Sequence, residues 1–246
     1  MDIFLDTGDL EKIKFFKSFN LIDGVTTNPS IVSKTNVNFK ELIKQICEIV
    51  DGPVSAEVVA KKFEEMVDQG IELSKIDKRV VIKLPATLDG FRALDTLSKK
   101  SIPVNFTVIY TVNQAVIAAK LGAKFVSPFV GRLDANGQDG TSLIKDIRKA
   151  FNNIGTDCKI LAASMRNVVY AKKAILNGAD LITVTPEVLQ LMMYNLHLTH
   201  ILLLFLVFLH ALIFYQMKYL LAQRISLCLD RNTNPWVALL ILDPSL

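Results

Sequence analysis

Residues 79–85 read Arg-Val-Val-Ile-Lys-Leu-Pro, an apolar run that carries one lysine and closes on a proline. Val80 to Leu84 is typical of a short β-strand, because its residues are mostly branched and apolar and because turn-forming residues follow it. Strands that are apolar along their whole length are typical of parallel sheets covered on both faces. The stretch therefore predicts one strand of a buried parallel sheet, with Lys83 inside it.

Lys83 has two interpretations. An apolar environment favours the neutral amine, and a neutral amine is a nucleophile toward carbonyl carbons. The alternative is a structural lysine that extends to solvent at the strand end or pairs with a carboxylate. The strand alone leaves both open.

The same alternation of a short apolar strand and a helical segment recurs along residues 3–195. The predicted strands are Ile3–Asp6, Gly24–Asn28, Val54–Val59, Val80–Leu84, Val104–Val108, Lys124–Phe129, Lys159–Ser164 and Leu181–Val184. The predicted helices are Thr7–Phe19, a segment from Pro29, Asn38–Val50, Lys61–Ile76, Gly90–Ser98, Asn113–Leu121, Ser142–Phe151, Val168–Leu176 and a segment from Pro186, with a polar loop at Gly131–Gly140.

Eight such units within 195 residues favour a closed barrel. Alternating strands and helices imply a parallel sheet. An open dinucleotide-binding sheet would place a glycine-rich turn after its first strand, whereas this chain has Asp6-Thr7-Gly8-Asp9 there. We therefore predict an α/β fold, a (β/α)8 TIM barrel over residues 1–195, followed by an atypical apolar tail over residues 196–246.

Composition excludes several classes of function. The net charge of +4 with no basic run argues against nucleic acid as a partner. The three cysteines are far apart and no histidine precedes His197, which disfavours a disulfide framework and a zinc site. The first residues lack the pattern of a signal peptide. We expect a cytoplasmic protein that needs no metal and no cofactor.

Polar residues gather at the carboxyl ends of the predicted strands, where TIM barrels place their active sites. They are Asp6, Thr26, Asn28, Glu57, Lys83, Asn105, Thr107, Ser127, Arg132, Ser164 and Arg166. Singly, each has a structural explanation: Asp6 could cap the first helix, and Glu57 could simply pair with Lys83. Together they are harder to explain that way, because buried polar groups are costly unless satisfied.

This set of side chains favours one kind of chemistry. A buried lysine forms an iminium with a ketone, which accepts electrons when the adjacent C–C bond breaks. Carboxylates and a hydroxyl (Asp6, Glu57, Thr107) move protons. Amides suit sugar hydroxyls, and two arginines with a serine suit a phosphate group.

Several stretches resemble the small transaldolases, the short branch of a family that also contains fructose-6-phosphate aldolases. They are Phe4–Thr7, Asp23–Ser30, Val54–Val58, Ile82–Pro85, Val126–Arg132 and Ala162–Arg166. The resemblance runs from residue 2 to about residue 195. The Val-Thr-Thr-Asn-Pro and Ser-Pro-Phe-Val-Gly-Arg stretches are its most specific parts.

The resemblance implies a role for each residue. Lys83 would form the Schiff base, Asp6 would be an acid/base group, and Glu57 with Thr107 would hold the catalytic water. Thr26, Asn28, Asn105, Ser127 and Phe129 would contact the donor sugar, and Arg132, Ser164 and Arg166 its phosphate. The implied reaction passes a dihydroxyacetone unit from sedoheptulose 7-phosphate or fructose 6-phosphate to an aldose phosphate, in the pentose phosphate pathway. A homo-oligomer is also implied.

The two branches differ at few positions. The aldolases carry glutamine where this chain has Glu57 and tyrosine where it has Phe129, and they lack an asparagine at the position of Asn105. All three positions here are similar to the transaldolases. Fructose-6-phosphate aldolase and an inactive, sugar-phosphate-binding barrel remain the alternatives.

The resemblance ends near Leu196. Ile201 to Tyr215 is apolar except for His210, and only Lys218, Arg224, Asp230, Arg231 and Asp243 carry charge beyond it. Three explanations compete: a frameshifted or wrongly delimited end, a membrane-associating helix, and a divergent last helix that packs on the barrel or a partner.

Overall fold

The computed structural model describes residues 1–29, 38–194 and 196–230. The chain divides into two compact units, Met1–Met193 and Tyr194–Leu246. The first unit holds all the strands of the described chain, and the second holds one long helix. Each unit is described by itself.

Eight parallel strands close into a barrel in which each strand pairs with its sequence neighbours and β8 pairs with β1. They are β1 (Asp2–Asp6), β2 (Gly24–Thr26), β3 (Val54–Glu57), β4 (Val80–Pro85), β5 (Val104–Ile109), β6 (Phe125–Pro128), β7 (Lys159–Met165) and β8 (Leu181–Val184). This order confirms the predicted (β/α)8 barrel.

Helices separate the strands along the described chain. They are α1 (Leu10–Ser18), α2 (Phe39–Ile49), α3 (Phe63–Ser74), α4 (Leu88–Lys99), α5 (Val112–Lys120), α6 (Val130–Ala135), α7 (Gly140–Ile154), α8 (Val168–Leu176) and α9 (Pro186–Met193). Polar side chains cap most of them; Thr111 and Gln114, for example, form a reciprocal capping box at α5.

Two differences between the predicted and the observed elements have a local cause. The first helix begins at Leu10 because Asp9, and not Asp6, caps it by accepting from the amides of Glu11 and Lys12. The predicted polar loop contains the short helix α6, whose polar residues concealed its helical spacing from the sequence pattern. The helix predicted from Pro29 lies almost entirely outside the described residues.

Two strands carry an irregularity near their carboxyl ends. The pairing register shifts between Thr107 and Ile109 in β5 and between Ala162 and Met165 in β7. Within these shifts Val108 has φ +62° and Ser164 has φ +61°. Left-handed backbone is costly for residues other than glycine, most of all for a β-branched one, so both bulges store strain.

The second unit contains α10 (Leu196–Asp230). Within it, Phe205–Gln223 is long and apolar enough to cross a membrane. The large apolar side chains along this segment are exposed.

Candidate active site

A cavity of about 520 Å³ opens at the carboxyl ends of the barrel strands. A volume of this order lies in the usual range of small-molecule binding sites. Residues from every strand or from the turn after it line the cavity: Asp6, Thr26, Asn28, Pro29, Glu57, Lys83, Asn105, Val108, Ser127, Phe129, Arg132, Ala163, Ser164, Arg166 and Thr183.

An apolar layer fills the barrel interior next to this cavity. It consists of Phe4, Val81, Phe125, Leu161 and Leu181, which form a cluster separate from the main core. Each of them precedes a cavity-lining residue of its own strand by two positions, so the two side chains point to the same face. The barrel interior is therefore filled with hydrocarbon below the cavity, and its side chains are mostly polar at the carboxyl ends of the strands.

Lys83 lies at the centre of the polar side. Its Nζ is 2.8 Å from Glu57 Oε2 and donates to the Thr27 carbonyl at 3.2 Å, and the residue is 6% exposed. The register pairs Glu57 with Lys83 and Lys83 with Asn105, so three neighbouring strands present these side chains in one row. The amine is thus buried, paired and still open to the cavity.

Asp6 lies on the far side of β2 from Glu57. Its Oδ1 accepts a hydrogen bond of 2.8 Å from Thr26, and the Thr26 hydroxyl is 2.7 Å from the hydroxyl of Thr183. Burial raises the pKa of Asp6 above its usual range, while the charge of Lys83 and the hydrogen bond from Thr26 act in the opposite direction. A carboxyl group whose pKa is raised toward neutrality can both accept and return a proton.

Asn105 is held by hydrogen bonds on both sides. Its Nδ2 donates to Ser55 Oγ at 3.2 Å, and its Oδ1 accepts from Ser127 Oγ at 2.7 Å. All three residues are buried. This network fixes the amide beside Lys83 and orients it for recognition of a ligand hydroxyl.

Arg132 and Arg166 lie at the exposed rim of the cavity. Within the described ranges neither guanidinium forms an ion pair with a carboxylate. Gly131 permits the close approach of α6 to the end of β7, since a Cβ there would come within 2.5 Å of the Ser164 carbonyl and 3.0 Å of Arg166 Cγ. This contact brings α6, which carries Arg132, close to Arg166 just after β7, and two neighbouring guanidinium groups suit an anionic group.

The cavity contains all the predicted site residues except Thr107. Thr107 is fully buried in β5, and its Oγ1 has no hydrogen-bond partner in the described part of the chain. The bulge in β5 places Val108 in the lining instead. Buried hydroxyls are almost always satisfied, so this one is a candidate to bind a water molecule or a ligand atom.

Sequence reasoning missed four lining residues: Pro29, Val108, Ala163 and Thr183. Thr183 had a signal, because it is a hydroxyl residue inside the otherwise apolar β8. Val108 had none, since a bulge that turns a side chain inward leaves no mark in an apolar pattern. Ala163 follows the regular alternation of β7 two residues after Leu161, but a small apolar side chain carries no chemical signal.

Phe129 presents an aromatic ring to the cavity. Its centroid lies 6.5 Å from that of Tyr110, with the two rings nearly perpendicular at 83°. This edge-to-face arrangement is a favourable one and restrains the Phe129 ring. The side chain at position 129 contributes no proton donor.

No group of three or more histidine, cysteine, aspartate or glutamate side chains is arranged as a metal site among the residues that the structure describes. The polar groups of the cavity are instead one amine, two carboxylates, hydroxyls, amides and two guanidinium groups. A barrel with a buried lysine paired to a carboxylate at the carboxyl ends of its strands is typical of an enzyme of the aldolase type.

Comparison with known proteins gives the family. The family model for transaldolase and fructose-6-phosphate aldolase matches residues 3–201. A probable transaldolase of Methanococcus maripaludis strain C6 is 48% identical over 201 residues, which cover 82% of this chain and 93% of that protein. One from Leptospira biflexa is 46% identical over 192 residues, covering 78% and 90%. The chain belongs to the transaldolase/fructose-6-phosphate aldolase family, and most of α10 and all that follows lie beyond the match.

Proposed function

We propose that the protein is a transaldolase, which transfers a dihydroxyacetone unit from a ketose phosphate to an aldose phosphate through a Schiff base on Lys83. The observation that carries the proposal is the position of the Lys83 amine, 2.8 Å from Glu57 and open to a cavity that also holds Asp6. Fructose 6-phosphate and sedoheptulose 7-phosphate are the proposed donors.

The first half of the reaction forms the Schiff base. Glu57 accepts the proton that Lys83 loses, and the neutral amine attacks the C2 carbonyl of the donor. Loss of water gives the iminium, and the same water later returns to release the product. The partnerless hydroxyl of Thr107 and the carboxylate of Glu57 are the groups proposed to hold that water.

The second half breaks and remakes a C–C bond. Asp6 takes the proton of the C4 hydroxyl, the C3–C4 bond breaks, and its electron pair moves into the iminium to give an enamine. The shortened aldose phosphate leaves. The enamine then attacks the aldehyde carbon of the acceptor, and Asp6 returns its proton to the new alkoxide.

The remaining groups recognise the sugar. Asn28 and Asn105 are proposed to bind donor hydroxyls, since both line the cavity and Asn105 is fixed by Ser55 and Ser127. Arg132, Ser164 and Arg166 are proposed to bind the phosphate that both donor and acceptor carry.

Borohydride trapping tests this proposal. The full chain is incubated with fructose 6-phosphate, reduced, and analysed by intact mass and peptide mapping. The expected result is one reduced adduct on the peptide that contains Lys83, and none with the matched variant Lys83→Met. Addition of erythrose 4-phosphate before reduction should discharge the adduct and yield sedoheptulose 7-phosphate. Folded wild-type protein that gives no adduct would overturn the proposal.

A further inference from the structure

Thr183 is the one cavity-lining hydroxyl of β8, and it faces Thr26 across β1. The register pairs Asp6 with Thr26 on one side of β1 and Phe4 with Thr183 on the other. Both threonines are buried, at 2% and 4% exposure. Their hydroxyl oxygens lie 2.7 Å apart, a full hydrogen bond inside the barrel.

The number of hydroxyl protons available shows which threonine donates the hydrogen bond between Thr26 and Thr183 when Asp6 is ionised. Thr26 has a single hydroxyl proton, and its oxygen is within hydrogen-bond distance of both Asp6 Oδ1 and Thr183 Oγ1. An ionised carboxylate only accepts. When Asp6 is ionised, Thr26 must therefore donate to Asp6, and the contact between the two threonines must be donated by Thr183.

We propose that Thr183 is a positioning residue for Asp6: its hydroxyl donates to Thr26 and so directs the one proton of Thr26 at the carboxylate. This role rests on the proposed function, in which Asp6 acts as the base. A hydroxyl that accepts a hydrogen bond becomes a stronger donor, so the chain Thr183 to Thr26 to Asp6 stabilises the ionised carboxylate more than Thr26 does alone.

Other charges also act on Asp6. Lys83 from β4 lowers the pKa of Asp6, and burial raises it. Glu57 from β3, Arg132 from α6 and Arg166 after β7 share the same cavity. None of these groups changes when only the hydroxyl of Thr183 is removed, so the contribution of Thr183 can be isolated.

The test compares Thr183→Val with Thr183→Ser. Valine keeps the shape without the hydroxyl, and serine keeps the hydroxyl. The measurement is the pH profile of kcat/KM with fructose 6-phosphate and erythrose 4-phosphate, whose acidic limb reports the essential base of the free enzyme. We expect Thr183→Val to move that limb upward by about half a pH unit and Thr183→Ser to leave it in place.

The double variant Thr26→Val with Thr183→Val gives a second test. Because Thr183 acts only through Thr26, the double variant should show the same acidic limb as Thr26→Val alone. An unshifted limb in Thr183→Val, an equal shift in both single variants at position 183, or a further shift in the double variant would each overturn the inference. If Thr183→Val does not fold, Thr183→Ala replaces it.

Borohydride trapping separates this inference from the proposed function. All the variants should still form the Lys83 adduct, because Asp6 acts after the Schiff base has formed. Absence of the adduct from the wild-type protein refutes the proposed function; an adduct with an unchanged pH profile in Thr183→Val refutes only the role of Thr183.

A second inference concerns α10. Successive residues of a helix point about 100° apart, so the run Phe205–Leu209 alone places apolar side chains on every face. These side chains are exposed. An amphipathic interfacial helix keeps a polar face. A helix that is apolar all round lies in the core of a large protein or spans a membrane, and the side chains of this one are exposed. The environment that covers apolar side chains on every face of an exposed helix is a lipid bilayer.

The carboxyl-terminal part of the apolar segment has the polarity of a membrane interface. Lys218 is the single charged residue of Phe205–Gln223, and its Nζ lies 5.1 Å from the centre of the Phe214 ring. Tyr219 accepts a hydrogen bond from Gln223 at 3.3 Å. Tyrosine and lysine are enriched where a helix leaves the hydrocarbon. The segment has 19 residues, about 28 Å of helix, close to the thickness of the hydrocarbon core.

We infer that α10 spans a lipid bilayer. The test is cell-free synthesis of the full chain with sealed vesicles of phosphatidylcholine and phosphatidylglycerol, followed by an alkaline carbonate wash and flotation. Wild type should float after the wash. Phe208→Asp combined with Leu212→Asp should abolish flotation, whereas Gln223→Asp at the segment end should not. Wild-type protein that stays in solution, or that sediments without floating, would contradict the inference.

Cys228 reports whether the helix crosses. It follows the apolar segment, whereas Cys47 and Cys158 are buried and burial raises their pKa to about 11 and about 12, which makes them unreactive. A maleimide that cannot cross membranes should label Cys228 only after detergent is added. It should label an Asn153→Cys variant, exposed on α7, without detergent. Labelling of Cys228 in intact vesicles would rule out a spanning helix.

Discussion

The amine of Lys83 and the carboxylate of Glu57 lie 2.8 Å apart on neighbouring strands whose register places these two residues opposite each other. Their side chains are only 7% and 17% exposed. A pair this shielded from water is sensitive to the loss of either member, because the remaining charge cannot be solvated.

Replacement of Glu57 should therefore separate charge from packing. Glu57→Gln keeps an oxygen acceptor and the side-chain length but leaves Lys83 without a counter-charge, so we expect a smaller loss of stability than in Glu57→Ala and a fall in kcat of about 100-fold from the lost proton transfer. Glu57→Ala should also lower the free energy of unfolding by roughly 3 kcal/mol. Glu65→Gln, an exposed change on α3, is the control. Full activity in Glu57→Gln would refute a role in proton transfer.

Phe129→Tyr tests the distinction between transfer and cleavage. A tyrosine hydroxyl near the enamine could protonate it and release free dihydroxyacetone, whereas phenylalanine cannot donate a proton. We expect cleavage of fructose 6-phosphate without an acceptor to rise about 10-fold or more. Tyr110→Phe, which alters the neighbouring ring but not position 129, is the control. An unchanged rate of release would count against this explanation.

Asp6→Asn should stabilise the fold while it abolishes the reaction. Because burial raises the pKa of Asp6, the folded state binds this proton more tightly than the unfolded state, whose pKa is near 3.8. Stability is then lost as pH rises from the unfolded pKa through the folded one, and at pH 7 the ionised Asp6 is a cost. We expect Tm at pH 7 to rise by roughly 2 °C, a gain that shrinks toward pH 4.

Asp51→Asn is the control, because the pKa of Asp51 is shifted in the opposite direction from that of Asp6. Lys17 lowers the pKa of Asp51 by a hydrogen bond, so its ionised form is favoured in the fold. This variant should show no rise in Tm. A lower Tm for Asp6→Asn than for wild type at pH 7 would contradict the assignment.

Because Val108 has a positive φ, the bulge in β5 should be more stable with glycine than with alanine at this position, the reverse of the usual order in a strand. At φ +62° a Cβ is unfavourable, so Val108→Gly should be more stable than Val108→Ala by about 1 kcal/mol. Ala163 lies outside the positive-φ set of the described residues, and there Ala163→Gly should cost about 1 kcal/mol. Urea unfolding measures both differences. Equal stability of the two Val108 variants would argue that the bulge is unstrained.

The two rim arginines should affect binding of phosphorylated sugars. Arg132→Leu and Arg166→Leu should each raise KM for fructose 6-phosphate by about 10- to 100-fold, the value of a charge-assisted hydrogen bond. Borohydride trapping with unphosphorylated dihydroxyacetone should be unaffected. Arg92→Leu on α4, outside the cavity, is the control. A similar loss with the unphosphorylated ligand would indicate a general effect on the site.

The sequence was sufficient for the barrel and for most of the cavity because both follow from one regular feature. Strands of a closed parallel barrel end at the same side, so a polar residue at each strand end, such as Lys83 or Asn105, must share one space. The strand count and the alternation of side chains are both visible in the pattern of apolar residues.

The remaining features of the site and the fold depend on local irregularities and on closure of the sheet, neither of which is visible in the pattern of apolar residues. The bulge in β5 adds Val108 to the residues that line the cavity, among which Thr107 is not found, and the bulge in β7 lies at Ser164. The contact between Thr26 and Thr183 exists only because the sheet closes on itself and brings β8 beside β1. Helix α6 was missed because its polar residues were read as a loop.

The hydrocarbon layer of Phe4, Val81, Phe125, Leu161 and Leu181 closes the cavity on the side away from the carboxyl ends of the strands, so that within the described barrel the cavity opens at those ends. Under the proposed chemistry, departing aldehyde and arriving acceptor must then use the same passage and the same arginines in turn. The three-carbon fragment has to wait on the protein between the two visits. Under that chemistry, the five side chains of this layer help to set the order of product release and acceptor binding without contacting the substrate themselves.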